Sequence, residues 1–99
     1  MEEKNYEQLK KDLYNHTEDL VLDAMEGVLK QDKFSEICQC EQCLLDIASY
    51  TLNRIPAKYI ASQTGNIHAK LQEFEQQHKV DIISTITKAI KIVSENPNH

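Results

Sequence analysis

Tryptophan is absent from this 99-residue chain, and glycine and proline occur only twice each. Beside 40% hydrophobic and 27% charged residues, that scarcity excludes a fibrous or disordered chain and leaves a folded, helix-rich one. Aromatic residues are few, four tyrosines and two phenylalanines, so the core must be aliphatic. Basic residues are outnumbered 11 to 16, giving a formal charge of -5. Broad, charge-driven binding to a nucleic acid polymer or an anionic membrane needs lysine and arginine in excess and is disfavoured. A local basic pocket stays open. No run of about 18 apolar residues is present to cross a bilayer, and the opening "MEEKNYEQLK" is too polar for a signal-peptide core. The expected location is cytoplasmic. No internal repeat or low-complexity segment occurs, and the length suits one domain whose core is marginal by itself.

Cysteine is confined to one place. The stretch "SEICQCEQCLLD", residues 35–46, holds Cys38, Cys40 and Cys43, and there is no other. An odd count without an export signal fits a reducing compartment, where close thiols serve metal or redox chemistry more often than structural bridges. Zinc takes four thiolate or imidazole ligands in a tetrahedron, and a C-x-x-C turn lets two sulfurs reach one ion without strain. Cys40 and Cys43 have that spacing, and Cys38 adds a third sulfur. A cysteine in the first turn of a helix is further favoured as a thiolate by the amides there. Regulatory thiols and plain packing are the alternatives.

Apolar spacing supplies the frame around the cluster. Tyr6, Leu9 and Leu13 predict a short leading helix, with Thr17 before two acids as the N-cap of the next. From there to about Gln31, Leu22, Met25 and Leu29 repeat with Val21, Ala24 and Val28 beside them, predicting a helix with one buried face. Leu44, Ala48 and Leu52, widened by Leu45 and Ile47, predict a second core helix from the cysteines to about Arg54, where Pro56 stops it. Tyr59-Ile60, the turn residues Thr64-Gly65-Asn66 and Ile67 predict an extended or hairpin segment near 58–68. Leu71 and Phe74, then Ile83, Ile86, Ile90 and Val93, predict one further helix or two up to Pro97. The expected fold is all-α, a small helical bundle with the zinc-binding loop between its first two core helices.

A fourth ligand has to be water, a partner's residue or one of four histidines. His16 is roughly 20 Å away along a helix, and His68 lies beyond the far end of the second core helix, so both are poor candidates. His78 comes level with the cysteines if the C-terminal region is one helix running back along the second. A break near Gln77, or exchange of tails between subunits, favours His99 instead.

The string Leu52-Asn53-x-Ile55-Pro56-x-x-Tyr59, following "CQCEQC" and followed by "AIKIVSENPNH", resembles the late competence development ComFB family over roughly residues 15–99. Residues 1–14 fall outside the resemblance and read as an extension. The resemblance implies a homodimeric helical domain without catalytic activity, carrying a structural zinc where the cysteines occur. It shifts the expected site to Cys38, Cys40, Cys43 and His99, with His78 as runner-up. It also implies a receptor for cyclic di-AMP or cyclic di-GMP in some members, notably ones that lack the cysteines. The charge pattern offers separate support: no acid lies between Asp46 and Glu73, while Arg54, Lys58 and Lys70 do. Arg54 can pair with a phosphate bidentately, Lys58 and Lys70 can act as point charges, Tyr59 can stack a base, and Asn53 belongs to the motif. The plain alternative makes Asn53 a helix cap, Tyr59 core and the cations a solvated edge. Two functions follow, a dimeric zinc-binding regulator that senses a cyclic dinucleotide and signals to a partner protein, or an adaptor that uses protein contacts alone. An enzyme is a distant third, since Glu41 is the one acid within the "CQCEQC" loop and no pocket pattern surrounds it.

Overall fold

Two asparagines start the first two helices. In the computed structural model, which describes residues 5–61 and 65–97 and the side chains of 5–61 and 71–97, Asn5 caps α1 (Tyr6–Asp12) by accepting from the Gln8 N–H. Glu7 in its first turn and Lys10 and Lys11 in its last complement the helix dipole. The apolar face expected there exists, but nothing covers it: Tyr6, Leu9 and Leu13 are all more than half exposed.

β1 (Tyr14–Asn15) pairs antiparallel with β2 (Tyr59–Ile60), Tyr14 opposite Ile60. The extended segment near 58–68 thus finds its partner far back in sequence, and residues 65–68 are already helical. α2 (His16–Leu29) is capped two residues earlier than expected, by Asn15 and not Thr17. Asn15 Oδ1 accepts from Thr17 N–H at 3.1 Å and also from Lys58 N–H at 3.0 Å, so one side chain starts the helix and fastens the strand connection. Thr17, fully buried, instead donates its hydroxyl to the Pro56 carbonyl at 2.8 Å.

α3 (Glu41–Leu52) and α4 (Gly65–Glu95) complete the bundle. α4 is a single helix of 31 residues, about 46 Å long. Its second half packs on both α2 and α3 around Val21, Met25, Ile47, Ile86 and Ile90. From residue 72 to residue 81 it buries nothing. The apolar faces sit slightly rotated from expectation, with Ile82 and Ala89 buried where Ile83 is 40% exposed, and with Leu22 and Leu45 about half exposed at the margins. The cysteine loop follows a 3-10 turn (Asp32–Phe34). Counting every helical segment it therefore separates the third from the fourth; only α2 and α3, as core helices, are its nearest long neighbours. Among the described residues no helix is long and apolar enough to cross a membrane.

Candidate metal centre

Short hydrogen bonds build the loop. The 3-10 turn is closed by Ser35 N–H donating to Asp32 O at 3.1 Å, and Ile37 N–H donating to Phe34 O at 3.2 Å continues the turn toward the cysteines. Gln39 Nε2 donates to Leu29 O at 3.3 Å, satisfying one of the carbonyls left over where α2 ends. Cys40 then caps α3 from an extended backbone, φ -70° and ψ 165°, with Sγ accepting from the Cys43 N–H at 3.5 Å. A sulfur stands where serine or aspartate usually does, and charge on it is favoured by the helix N-terminus.

All three Sγ atoms lie within 4.8 Å of one another. A tetrahedral ion with metal–sulfur bonds of about 2.3 Å needs sulfurs about 3.8 Å apart, so a shift of about 1 Å closes the set on a metal. The donor set fits. Cys38 and Cys40 lie at the surface, whereas Cys43 is 2% exposed, and none of the three is in a disulfide. Burial pushes the Cys43 thiol up to about 12, with the neighbouring Cys38 and Cys40 adding to the effect. Cys40 moves the other way, below the ordinary 9.0, chiefly because the Cys43 backbone N–H supports its thiolate and Cys38 then adds a hydrogen bond. An arriving cation has to displace the Cys43 proton, and in return it neutralises charge in a buried place.

α4 reaches this loop from the other side. Val93, Ser94 and Pro97 border a cleft of about 350 Å³ together with Cys38, Cys43 and Ile47. His99 lies outside the described residues. Two residues of extended chain beyond Pro97 span about 7 Å. His78 is not brought to the cysteines: it stacks on Phe74, ring centroids 4.4 Å apart, about 22 Å along α4 from Val93. The expectation that a continuous helix would bring His78 level fails because it is the last turn of α4, at Val93 and Ser94, that meets the cysteine loop. His16 opens α2 at the opposite end, both ring nitrogens buried without a hydrogen-bond partner. His68 sits early in α4.

The residues expected to hold a phosphate ligand are spread over the β2 end. Asn53 is the C-cap of α3, donating its N–H to Ser49 O and Thr51 O. Arg54 donates from Nη1 to Tyr50 O at 2.9 Å, and its guanidinium lies 3.5 Å from the centre of the Tyr50 ring. Lys58 is half-buried with Nζ 5.8 Å from the Phe74 ring centre. Tyr59 is 62% exposed and so is not core. Lys70 lies on α4, its side chain outside the described set. The double use of Asn15 and the Thr17–Pro56 bond had no local signal; "NHTED" offers two competing caps, and only the distant partner chooses between them.

Fold and site together define a small, mainly helical domain with a three-thiol cluster at a helix N-terminus. The chain belongs to the late competence development protein ComFB family, whose model matches residues 14–97. The solved structure described as the late competence protein ComFB from Bacillus subtilis is similar in fold, with a TM-score of 0.70 at 20% identity over 87% of this chain and 92% of that one. No curated protein sequence matches significantly.

Proposed function

We propose that this protein is a non-catalytic, dimeric regulatory module of the cytoplasm whose fold is fastened by zinc on Cys38, Cys40, Cys43 and His99. The observation that carries the reading is the meeting of three sulfurs within 4.8 Å at a cleft bordered by the last turn of α4. Zinc there supplies only a cross-link. Cys40 and Cys43 hold the start of α3, Cys38 holds the loop leaving α2, and the tail brings the fourth ligand. Dimer formation is supported by apolar surface left uncovered, Leu22 and Leu45 flanking a groove of about 540 Å³ between α2 and α3.

As a signal, a cyclic dinucleotide would meet Arg54, Lys58 and the exposed ring of Tyr59, with Asn53 and Lys70 alongside. The adaptor reading, contact with a protein partner and no small ligand, has an observation of its own: Arg54 is already engaged by both the carbonyl and the ring of Tyr50. Calorimetric titration with cyclic di-AMP and cyclic di-GMP separates the two. Binding that Arg54→Ala and Lys58→Ala each weaken about tenfold or more supports the receptor. No heat with either messenger at about 100 μM, a concentration that would reveal any affinity tighter than roughly -5 kcal/mol, leaves the adaptor.

A further inference from the structure

An acidic chain that keeps its carboxylates out of one groove has prepared that groove for negative charge. Lys33, Phe34 and Ile37 on one side, and Lys88, Ile90 and Lys91 of α4 on the other, line an open channel of about 580 Å³. No aspartate or glutamate lines it, although acids outnumber bases 16 to 11 in the chain. Among the described residues the ion pairs are Lys10–Glu7 and Lys30–Glu26, so none of the three groove lysines has an acidic partner. Lys33 Nζ rests 5.2 Å from the Phe34 ring centre.

The cause is legible in α4. Residues 82–94, "IISTITKAIKIVS", contain no acid. Ser84, Thr87, Lys88, Lys91 and Ser94 recur at helical spacing and line the same wall. The three hydroxyls donate to carbonyls of their own helix, Ser84 to Asp81 at 3.3 Å, Thr87 to Ile83 at 3.0 Å and Ser94 to Lys91 at 3.1 Å. Their protons are thus spent, and the ammonium groups are what the wall offers an anion. Between them the floor is apolar: Ile90 is 1% exposed, and Phe34 and Ile37 are half-buried. A bare phosphate would leave that floor wet. A segment with apolar residues on one face and carboxylates along its edges would cover the floor and meet the lysines.

We infer that this groove docks an acidic amphipathic helix of a partner protein, with its apolar residues on Phe34 and Ile37 and its carboxylates on Lys33, Lys88 and Lys91. The groove adjoins the cysteine cleft, since Ile37 and Ser94 border both.

The test is fluorescence anisotropy on the full-length protein with two labelled helical peptides that share the same leucine anchors, one flanked by glutamate and one by lysine. The glutamate peptide is expected to bind at least about tenfold tighter and to weaken as salt rises to about 0.3 M. Lys88→Glu with Lys91→Glu removes that preference, and Lys30→Glu, in the separate groove between α2 and α3, leaves it. Circular dichroism verifies that the exposed charge reversals keep the helices. Equal binding of the two peptides, binding of neither, or a preference that survives the double reversal overturns the inference. Tighter binding of a single-stranded oligonucleotide than of the glutamate peptide also overturns it, by assigning the groove to phosphates.

Discussion

Asn15 and Thr17 carry long-range order on single side chains. Thr17 is fully buried, and its hydroxyl donates to Pro56 O at 2.8 Å, 39 residues away. Thr17→Val therefore removes the donor that the part-buried Pro56 carbonyl meets and is expected to cost about 0.5–1.5 kcal/mol in urea denaturation. Asn15→Ala removes both a helix cap and the tie to Lys58 and is expected to cost about 1–2 kcal/mol, with a frayed β1–β2 pair. Cys43 sets a pH dependence in the metal-free protein. Its folded-state value is raised from 9.0 to about 12, so the burial of the neutral thiol stabilises fully below 9 and that contribution is lost as pH rises toward 12. Cys40 is lowered, so its contribution is present above 9 and is lost as pH falls through its folded value. A melting-temperature series from pH 8 to 11 on chelated protein is expected to fall for wild type and to flatten in Cys43→Ala. The cysteines were legible from spacing alone, because metal chemistry is local. The Thr17 role was not, because a hydroxyl's partner across the fold leaves no trace in neighbouring residues.

At the scale of elements, α4 divides into a second half that carries Ile82, Ile86, Ala89 and Ile90 into the core and a stretch, residues 72–81, with no buried side chain. Ile86 is fully buried between α2 and α3, and Ile86→Ala is expected to cost about 2–5 kcal/mol. Val80, 76% exposed on the same helix, should cost within about 0.5 kcal/mol on the same change. Equilibrium denaturation of both variants checks the division. The helices themselves were legible as apolar repeats, and so was the stop at Pro56. Which residues face inward was legible only to within one position: Ile82 and Ile83 are both apolar, and periodicity cannot choose between adjacent isoleucines. The choice belongs to Ala89, whose small side chain, fully buried, lets α4 approach closely on that face.

The whole molecule is longer than its size requires. Its radius of gyration is 16.2 Å and its longest dimension 57 Å, whereas a compact chain of about 100 residues has a radius near 13 Å. Length of that kind, with Tyr6, Leu9, Leu13 and Val80 exposed, leaves apolar surface that a second copy can cover. Light scattering at micromolar concentration is expected to give a dimer of the 11.4 kDa chain, and a monomer alone would contradict this. A contiguous acid-free interval, residues 47–72, is the anion site visible in the sequence. The lysine groove is not visible there, because Lys33 and Lys88 are distant in sequence and meet only once α4 lies against the 3-10 turn.

In the proposed function a metal ties the start of α3 to the end of α4. Native mass spectrometry of the reduced, full-length protein tests it most directly. The account predicts about one zinc ion per chain, lost in Cys40→Ser and in Cys43→Ser. Freshly reduced wild-type protein that carries no zinc, and takes up none when it is supplied, would contradict it.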